Sequence, residues 1–357
     1  MKHLELFSGI GGFRRALDLL KDDGIMPFEC VGYSEIDSKA KATYNVNFNT
    51  EGEIDMGDIV SFTSNKENIS NLPHFDLLTG GFPCQTFSVM GQQKGFNEDR
   101  GQMFFRIMDI IHIKRPKYVL LENVKNLCKH DQGKTYARIE QELMAEGYNV
   151  FTNIFNTADF HLPQKRSRVL IFATLHSVPS DFVYYYTPEE VKRNFDAFYK
   201  NSSLLHYEST IEILEKEVDR KYYLSEKIKP TLLADGSANF RSNSEINQLI
   251  ARPLTASMHK MHRACQDNYY SQDFIDSNGE INHALDYTKE ELAKLEIRKL
   301  TPQEAFMLQG FPTEFATRAQ NIGVSNGALY KQAGNAVSVN VIYGVLLYLI
   351  TKKIICE

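Results

Sequence analysis

The chain lacks the features that mark several classes of protein. No uninterrupted apolar run reaches the length of a membrane span, and the opening residues MKHLE do not resemble a secretory signal, so we expect a soluble cytoplasmic protein with no membrane partner. The five cysteines are scattered, with no Cys-x-x-Cys pair, and no His-Glu-x-x-His motif occurs. These absences argue against a disulfide framework and predict no metal site.

The chain also lacks an excess of positive charge. Its 357 residues carry a formal net charge of −5, which excludes a uniformly basic nucleic-acid binder. A nucleic-acid partner would therefore have to meet a local basic face. Hydrophobic residues make up 43% of the chain and charged residues 24%, values that are ordinary for a globular protein and exclude a disordered or collagen-like chain.

What the chain does contain is an alternation of strand-like and helix-like patterns. Helical spacing of apolar residues predicts helices at residues 13–20, 39–44, 103–113 and 136–144. Short β-branched or aromatic runs predict strands at residues 3–7, 29–34, 75–79, 118–121, 149–155 and 169–173. The alternation predicts an α/β fold, with a parallel sheet covered by helices on both faces.

The pattern changes near Pro179. Residues 183 to about 295 are tyrosine-rich, polar and irregular, which indicates an inserted smaller domain. Order returns at Arg298, and residues 337–350 predict an apolar helix that is too short for a membrane span and packs in the core. We therefore predict one discontinuous domain of residues 1–182 and 313–357, with residues 183–312 inserted into it.

A glycine-rich turn follows the first predicted strand. Its sequence, FSGIGGF at residues 7–13, permits close backbone approach but is not G-x-G-x-x-G, which disfavours a dinucleotide. Glu35 ends the second strand, where a carboxylate can bind ribose hydroxyls, and Asp58 is a candidate acceptor for a purine amine. The turn by itself equally fits a tight strand–helix connection. Together the three features favour adenosine with a non-phosphate tail, and S-adenosyl-L-methionine is the obvious candidate.

A cysteine and a carboxylate end two neighbouring strands. Cys84 follows the strand at residues 75–79, at the sheet edge where such folds bind ligands. A thiolate there is a candidate nucleophile, although a lone cysteine is more often a small buried hydrophobe. Glu122 ends the next strand, and Arg166 and Arg168 begin a third. The four side chains are expected to converge on one edge, while a basic surface turn remains an alternative for the arginines.

In their order along the chain, these motifs resemble those of the C5-cytosine DNA methyltransferases of bacterial modification systems. The resemblance extends from Leu4 to about Leu175 and resumes from Arg298 to the end. The blocks that carry it are FSGIGGF (7–13), SEID (34–37), GD (57–58), GGFPCQTFS (80–88), LLENV (120–124), PQKRSR (163–168), RKLTPQEAFMLQGFP (298–312) and YKQAGNAVSVNV (330–341). It implies a Rossmann-like methyltransferase sheet with an inserted target-recognition domain.

The resemblance also implies a mechanism. Cys84 would add to C6 of cytosine, Glu122 would hold the protonated N3 and the exocyclic amine, and the activated C5 would take the methyl group. A base then removes the C5 proton and Cys84 is expelled. Arg166 would contact the target base, and both Arg166 and Arg168 would supply positive potential around the developing charge.

The implied cofactor is S-adenosyl-L-methionine. Phe7 would stack on the adenine, Glu35 would bind the ribose and Asp58 the adenine amine. The complete predicted cofactor set is Phe7, Gly9, Gly11, Gly12, Glu35, Ile36, Asp58, Ile59, Pro83, Asn335, Ala336 and Val337. Three positions depart from the common pattern, namely the aliphatic Ile36, Pro253 in place of the first Thr of a Thr-Leu-Thr-like strand, and Ala336 where some relatives carry Ser.

Two segments are candidates for contact with DNA. A cytosine within a duplex must be flipped out before it can react, and the polar loop at residues 85–101 is suited to close over it. The inserted domain carries a local basic cluster that includes His259 and His262. A loop without function and a solvated face are the alternatives. The predicted contacts are Ser88, Gln92, Lys94, Arg100, Arg252, Thr255, Lys260 and Arg263.

The sequence therefore predicts a DNA (cytosine-5)-methyltransferase acting on one short duplex motif. We expect a monomer that serves as the modification component of a restriction-modification system, with a cognate restriction endonuclease as a separate protein. A tRNA cytosine-5 methyltransferase is the nearest alternative, and a catalytically silent DNA-binding protein is a second. A nicotinamide dehydrogenase is disfavoured by the Pro-Cys pair and the glycine turn.

Overall fold

The computed structural model describes residues 1–83, 102–237, 240–260 and 263–356. They form two compact units. The first unit contains Met1–Asn156, Ser167–Leu204 and Val341–Glu357, and the second contains Thr157–Arg166 and Leu205–Asn340. These units are defined by compactness, so the functional boundaries at 182/183 and 312/313 stay a prediction.

A seven-stranded sheet forms the centre of the first unit. Its strands are β1 (Lys2–Leu6), β2 (Glu29–Ser34), β3 (Ile54–Asp55), β4 (Leu77–Gly81), β5 (Tyr118–Val124), β6 (Asn149–Asn156) and β7 (Ser167–Thr174). They lie side by side in the order β3-β2-β1-β4-β5-β7-β6. The predicted α/β fold is confirmed, and so are the six predicted strands, while the two-residue β3 was not predicted.

One strand corrects the expectation of an entirely parallel sheet. Strand β7 runs antiparallel to both β5 and β6, whereas the remaining pairs are parallel. The reason lies in the connection, because residues 157–166 between β6 and β7 contain only a short 3-10 turn. A parallel return would need a crossover of a dozen residues or more.

Helices connect the strands of the first unit. Helix α1 (Gly12–Asp22) is amphipathic, because Phe13, Ala16, Leu17 and Leu20 recur at helical spacing and are all buried. Helix α5 (Gln102–Lys114) contributes to the core, since Ile107, Ile110 and Ile111 pack in one cluster with buried strand residues. The helices of this part of the chain are α1 (Gly12–Asp22), α2 (Ser38–Asn47), α3 (Ile59–Thr63), α4 (Lys66–Ser70), α5 (Gln102–Lys114), α6 (Lys134–Ala145), α7 (Phe182–Tyr185) and α8 (Pro188–Phe198).

The second unit consists of short elements, in keeping with its weak sequence periodicity. Its helices are α9 (Lys229–Leu233), α10 (Gln272–Asp276), α11 (Lys289–Leu292), α12 (Pro302–Met307), α13 (Thr313–Asn321) and α14 (Asn326–Asn335), and its strands are β8 (Gly236–Ser237), β9 (Phe240–Arg241), β10 (Tyr269–Ser271) and β11 (Ile297–Lys299). Helix α15 (Val339–Thr351) closes the chain. The run Asn326–Thr351 is long and apolar enough to cross a membrane, but 89% of its most apolar window is buried in the protein.

Candidate active site

Strands β4 and β5 bring the segment before Cys84 beside Glu122. The last residue of β4 lies opposite Glu122 in the parallel register. A buried hydrogen bond of 2.8 Å, from Asn123 Nδ2 to the carbonyl oxygen of Phe82, fastens the two strand ends together. The chain then reaches the exposed Pro83, and Cys84 lies outside the described residues. The sequence analysis did not single out Asn123, although it lies within the LLENV block.

The Glu122 carboxylate forms an ion pair with Arg168. Arg168 Nε lies 2.9 Å from Glu122 Oε1, and the two side chains are only 21% and 11% exposed. The antiparallel pairing of β5 with β7 makes this contact, since Arg168 lies opposite Val124. A guanidinium at this distance stabilises the negative charge of the carboxylate electrostatically. The structure thus joins two of the predicted catalytic residues.

The glycine turn is hydrogen-bonded directly to Glu35. The backbone N–H of Gly9 donates to Glu35 Oε2 at 2.8 Å, and that of Asp37 donates to Oε1 at 2.7 Å. Burial raises the pKa of Glu35, although these two N–H donors oppose the shift. Each carboxylate oxygen keeps a second lone pair for a hydroxyl donor. The arrangement therefore suits the ribose diol that the sequence predicts here.

The turn itself has a left-handed backbone at several positions. Phe7, Gly9 and Gly11 have φ values of 53°, 56° and 83°, and only the glycines adopt such values without strain. A Cβ on Gly11 would lie 2.3 Å from the Phe48 ring and 3.0 Å from Tyr44. The turn therefore rests on two aromatic rings of the α2 region, and the strained Phe7 backbone marks this turn as a candidate functional site.

The Asp58 carboxylate caps helix α3. It accepts hydrogen bonds from the N–H of Val60 at 3.1 Å and from Ser61 Oγ at 2.7 Å. Burial would raise the pKa of Asp58, but the Ser61 hydroxyl and the helix N–H groups outweigh it and lower the pKa. The Ile59 side chain is buried, so it offers a ligand only its main chain, whereas Ile36 is 75% exposed and available for stacking.

A buried acid beneath the glycine turn was missed by the sequence analysis. Glu5 lies on β1 and is fully buried. Its carboxylate accepts from the Tyr44 hydroxyl at 3.1 Å and from the N–H of Arg14 at 3.3 Å. Burial raises the pKa of Glu5 to about 8, despite the opposing charge of Arg14. A charged residue at an inward position of a buried strand is the signal that could have revealed it.

In the second unit, Arg166 is buried and donates to three main-chain carbonyl groups. Its guanidinium donates to the carbonyl oxygens of Leu254 at 3.0 Å, Gly334 at 3.0 Å and Ala336 at 2.8 Å. It thereby fastens the segment that contains Pro253 to the turn predicted to bind the methionine side of the cofactor. The predicted contact of Arg166 with the target base stays a prediction.

The neighbouring Gln164, which the sequence analysis did not single out, acts in the same way. Its Nε2 donates to the Leu308 carbonyl at 2.8 Å, and its Oε1 accepts from the Leu254 N–H at 2.9 Å. Hydrogen bonds between a side chain and the main chain of a residue far away in sequence leave no local pattern, so the sequence contains no signal for them.

The predicted turn at Asn335, Ala336 and Val337 lies at the end of helix α14. Ala336 ends the helix in an extended conformation, and its side chain and that of Val337 are buried. Gly334 allows the chain to pass here, because a Cβ on it would lie 2.3 Å from the main chain of Thr255. The role of this turn toward the cofactor stays a prediction.

Four of the predicted DNA contacts lie in the described part of the second unit. Lys260 and Arg263 are exposed. Arg252 is committed to internal partners, with Nη2 lying 3.1 Å from Glu245 Oε2. Thr255 donates a hydrogen bond to Asp267, whose burial raises its pKa to about 6. Ser88, Gln92, Lys94, Arg100 and His262 lie outside the described residues.

No group of three or more His, Cys, Asp and Glu side chains within the described ranges is arranged to hold a metal ion.

Comparisons with known proteins agree with this geometry. The sequence model of the family described as C-5 cytosine-specific DNA methylase matches residues 1–351. The chain is 34% identical over 345 residues to the Type II methyltransferase M.NgoBI of Neisseria gonorrhoeae, with 96% of this chain and 90% of that protein covered. Identity and coverage are the same for the Type II methyltransferase M.HaeII of Haemophilus aegyptius.

A solved structure shares the fold. The Dnmt2 methyltransferase of S. pombe superimposes with a TM-score of 0.75 and 22% identity, covering 98% of each chain. The resemblance carried by the ordered motifs is thereby confirmed at the level of the family, and the predicted fold at the level of the structure.

Proposed function

The chain belongs to the C-5 cytosine-specific DNA methylase family, and from this premise we propose that it methylates carbon 5 of a flipped-out cytosine in one short duplex sequence. S-adenosyl-L-methionine is the proposed methyl donor. Relatives named as Type II methyltransferases support a place in a restriction-modification system, with a cognate nuclease as a separate protein. We further propose that the enzyme acts as a monomer in the cytoplasm, where its DNA substrate lies.

The proposed chemistry begins with the thiolate of Cys84. Carbon 5 of cytosine is a poor nucleophile, so the thiolate first adds to C6 and forms a sulfur–carbon bond. The electron pair driven to C5 then bonds to the methyl carbon, and the methyl–sulfur bond of the sulfonium donor would break to leave a neutral thioether. A base removes the C5 proton, the C5–C6 double bond re-forms and the Cys84 thiolate leaves. One bond to Cys84 is thus made and broken in each turnover.

The observation that carries this proposal is the Glu122–Arg168 ion pair beside the end of β4. An ionised carboxylate accepts hydrogen bonds from a protonated N3 and from the exocyclic amine, and Arg168 favours that ionised form. Because the strand that leads to Cys84 ends opposite Glu122, the two groups are proposed to meet the same base. The Glu122 carboxylate would hold N3 protonated, so that the ring can accept the electron pair of the thiolate when C6 is attacked.

The donor site is proposed at the glycine turn. S-adenosylmethionine supplies an electrophilic methyl group on a sulfonium. The residues present fit its adenosine portion for two reasons. Gly11 has no side chain and packs directly against Phe48, so the turn presents its main chain to a ligand. Glu35, next to the turn, can accept further hydrogen bonds. Asp58, with a lowered pKa, stays ionised as an acceptor for the adenine amine. The predicted roles of Phe7 and Ile36 are stacking on the adenine.

Methylation within a duplex requires the target base to leave the stack. Flipping costs a few kcal/mol, which contacts to the displaced base and to the phosphates must offset. We assign closure over the base to the polar loop at residues 85–101 and sequence recognition to the inserted region.

The experiment that tests the proposal is expression in a host that lacks cytosine methylation, followed by bisulfite sequencing of the host DNA. We expect protected cytosines confined to one short motif in the wild type, none in Cys84→Ala, and the wild-type pattern in the control Cys356→Ala, which changes an exposed cysteine. Soluble wild-type protein with no protected motif would overturn the proposal, and tRNA would then be tested as substrate.

A further inference from the structure

Two elements of the second unit bring lysines next to the recognition segment, here defined as residues 252–260. Helix α14 runs alongside this segment. A Cβ on Gly327 would lie 3.5 Å from the His259 ring, and one on Gly334 would lie 2.3 Å from the main chain of Thr255. Gly327, Lys331 and Gly334 are spaced at i, i+4 and i+7, so they share one face of the helix. The exposed Lys331 therefore lies on the face of α14 that follows the recognition segment.

Strand β11 brings a further lysine to the same segment. Lys299 lines a small cavity of about 20 Å³ together with Pro253, Met258 and Tyr330. Its ammonium lies 5.4 Å from the centre of the Tyr330 ring. Lys299 is half-buried, and burial lowers its pKa. Lys260, the last residue of the recognition segment, is exposed.

The electrostatic environment of His259 shows that these charges converge. Burial lowers the pKa of His259, and the charges of Lys260, Lys299 and Lys331 lower it further. Three lysines from three separate segments thus raise the potential at one imidazole, in a chain whose formal net charge is −5. Like charges held together repel one another, and the repulsion is relieved when a polyanion binds.

We propose that Lys260, Lys299 and Lys331, here called the lysine cluster, bind the phosphates of duplex DNA on either side of the recognition segment. The proposal rests on the proposed function and adds Lys299 and Lys331, which the sequence did not single out. Lysines contact phosphates as point charges and carry no sequence information. The cluster therefore holds the DNA backbone while other side chains of the segment read the bases.

The test measures the salt dependence of DNA binding. The dissociation constant for a duplex carrying the methylated motif is measured from roughly 50 to 200 mM KCl for the wild type, Lys299→Gln, Lys331→Gln and the double variant. Each lost phosphate contact makes the plot of the logarithm of the binding constant against log salt less steep by about 0.9. The slope of the double variant is therefore expected to be smaller in magnitude than that of the wild type by about 1.8. The methylated motif, read by bisulfite sequencing, is expected to stay the same.

A matched control separates the cluster from charge in general. Lys352→Gln removes an equal charge from the first unit, where the Lys352 ammonium lies 5.6 Å from the Tyr348 ring. We expect this variant to keep the wild-type slope, and Lys299→Arg, which keeps the charge, to keep it as well. Melting curves establish that each variant is folded.

The outcomes distinguish the two proposals. A double variant whose slope equals that of Lys352→Gln would overturn the lysine cluster while leaving the methyltransferase activity intact. A changed motif in Lys299→Gln would also overturn it, because the lysine would then be reading a base. Wild-type protein that binds no duplex DNA would overturn both the cluster and the proposed function.

Discussion

Among single side chains, the ion pair of Glu122 and Arg168 has the most direct bearing on chemistry. Arg168 is 21% exposed and Glu122 11%, so water screens the pair only weakly. The contact places the Arg168 guanidinium 2.9 Å from one carboxylate oxygen of Glu122. We therefore propose that Arg168 acts through Glu122, as a positioning residue.

We expect Arg168→Ala to lower kcat/KM for methyl transfer. Residues in direct contact within an ion pair are coupled by about 0.5–3 kcal/mol, which corresponds to a loss of roughly 2–150-fold. Steady-state kinetics with tritiated donor and duplex substrate measures the loss. Arg168→Lys keeps the charge and is expected to lose less, while KM for the donor changes little in both. Equal losses in the two variants would contradict the role of the charge.

A second prediction concerns the buried Glu5. Its pKa rises from 4.5 in the unfolded chain to about 8 in the folded protein. Between these values the folded state binds more protons than the unfolded state, so the free energy of unfolding falls as the pH rises from 4.5 to 8. Glu5→Gln lacks this proton, and its stability relative to the wild type is expected to grow with pH, by at most about 1.4 kcal/mol per unit.

Urea unfolding at four values between roughly pH 5 and pH 8 checks this prediction for Glu5→Gln. The control is Glu51→Gln, which changes an exposed carboxylate and is expected to follow the wild-type pH dependence. Parallel curves for Glu5→Gln and the wild type would show that Glu5 is already ionised in the folded protein.

At the scale of elements, the turn between β1 and α1 depends on what lies beneath it. The Tyr44 ring stacks on Tyr33 with centroids 4.7 Å apart and lies 4.8 Å from Phe48. Because the Tyr44 and Phe48 rings pack against Gly11, helix α2 and the residue that follows it determine where the main chain of the turn lies. The proposed donor site therefore lies on two successive β–α connections, the second of which also carries Glu35.

We expect Gly11→Ala to weaken binding of S-adenosylmethionine. Its Cβ would meet the Phe48 ring at 2.3 Å, and overpacking of this kind costs about 1–3 kcal/mol, or roughly 5–150-fold in Kd. The control is Gly52→Ala, where φ is a similar +81° but nothing lies within 4 Å. Calorimetry measures both affinities. Similar Kd values for the two variants would mean that the aromatic support is irrelevant.

At the scale of the whole molecule, each compact unit contains a fully buried carboxyl side chain, Glu5 in the first unit and Glu304 in the second. In the second unit Arg298 and Glu304 are both fully buried and form two parallel hydrogen bonds of 2.9 and 2.7 Å. Glu304 also accepts from the N–H of Thr301 at 2.7 Å, at the start of α12. Burial raises the pKa of Glu304, opposed by the bonds from Arg298. Loss of one partner would leave an uncompensated buried charge.

We therefore expect Arg298→Met to destabilise the second unit by about 3–5 kcal/mol. The double variant Arg298→Met with Glu304→Leu removes both charges and is expected to be more stable than the single variant. Hydrogen exchange followed by mass spectrometry checks the location, with faster exchange expected in residues 205–340 and unchanged exchange in β1 and β4. A uniform increase across both units would contradict the prediction.

The sequence by itself determined the elements that depend on local patterns. Alternating apolar runs located six of the seven sheet strands, and the motif order identified the family. The glycine turn could be predicted because a left-handed backbone favours glycine, whereas the role of Glu35 toward a ribose stays a prediction. These features are encoded within a few neighbouring residues, which is why no knowledge of the fold was needed.

Only the tertiary structure decided which distant residues meet. The reversed direction of β7 brings Arg168 onto Glu122, and a parallel sheet would not have done so in this register. The carbonyl partners of Arg166 lie 88 to 170 residues away along the chain. The lysine cluster likewise assembles from a turn, a strand and a helix. Such contacts follow from packing across the unit, and packing leaves no periodic signal in the sequence.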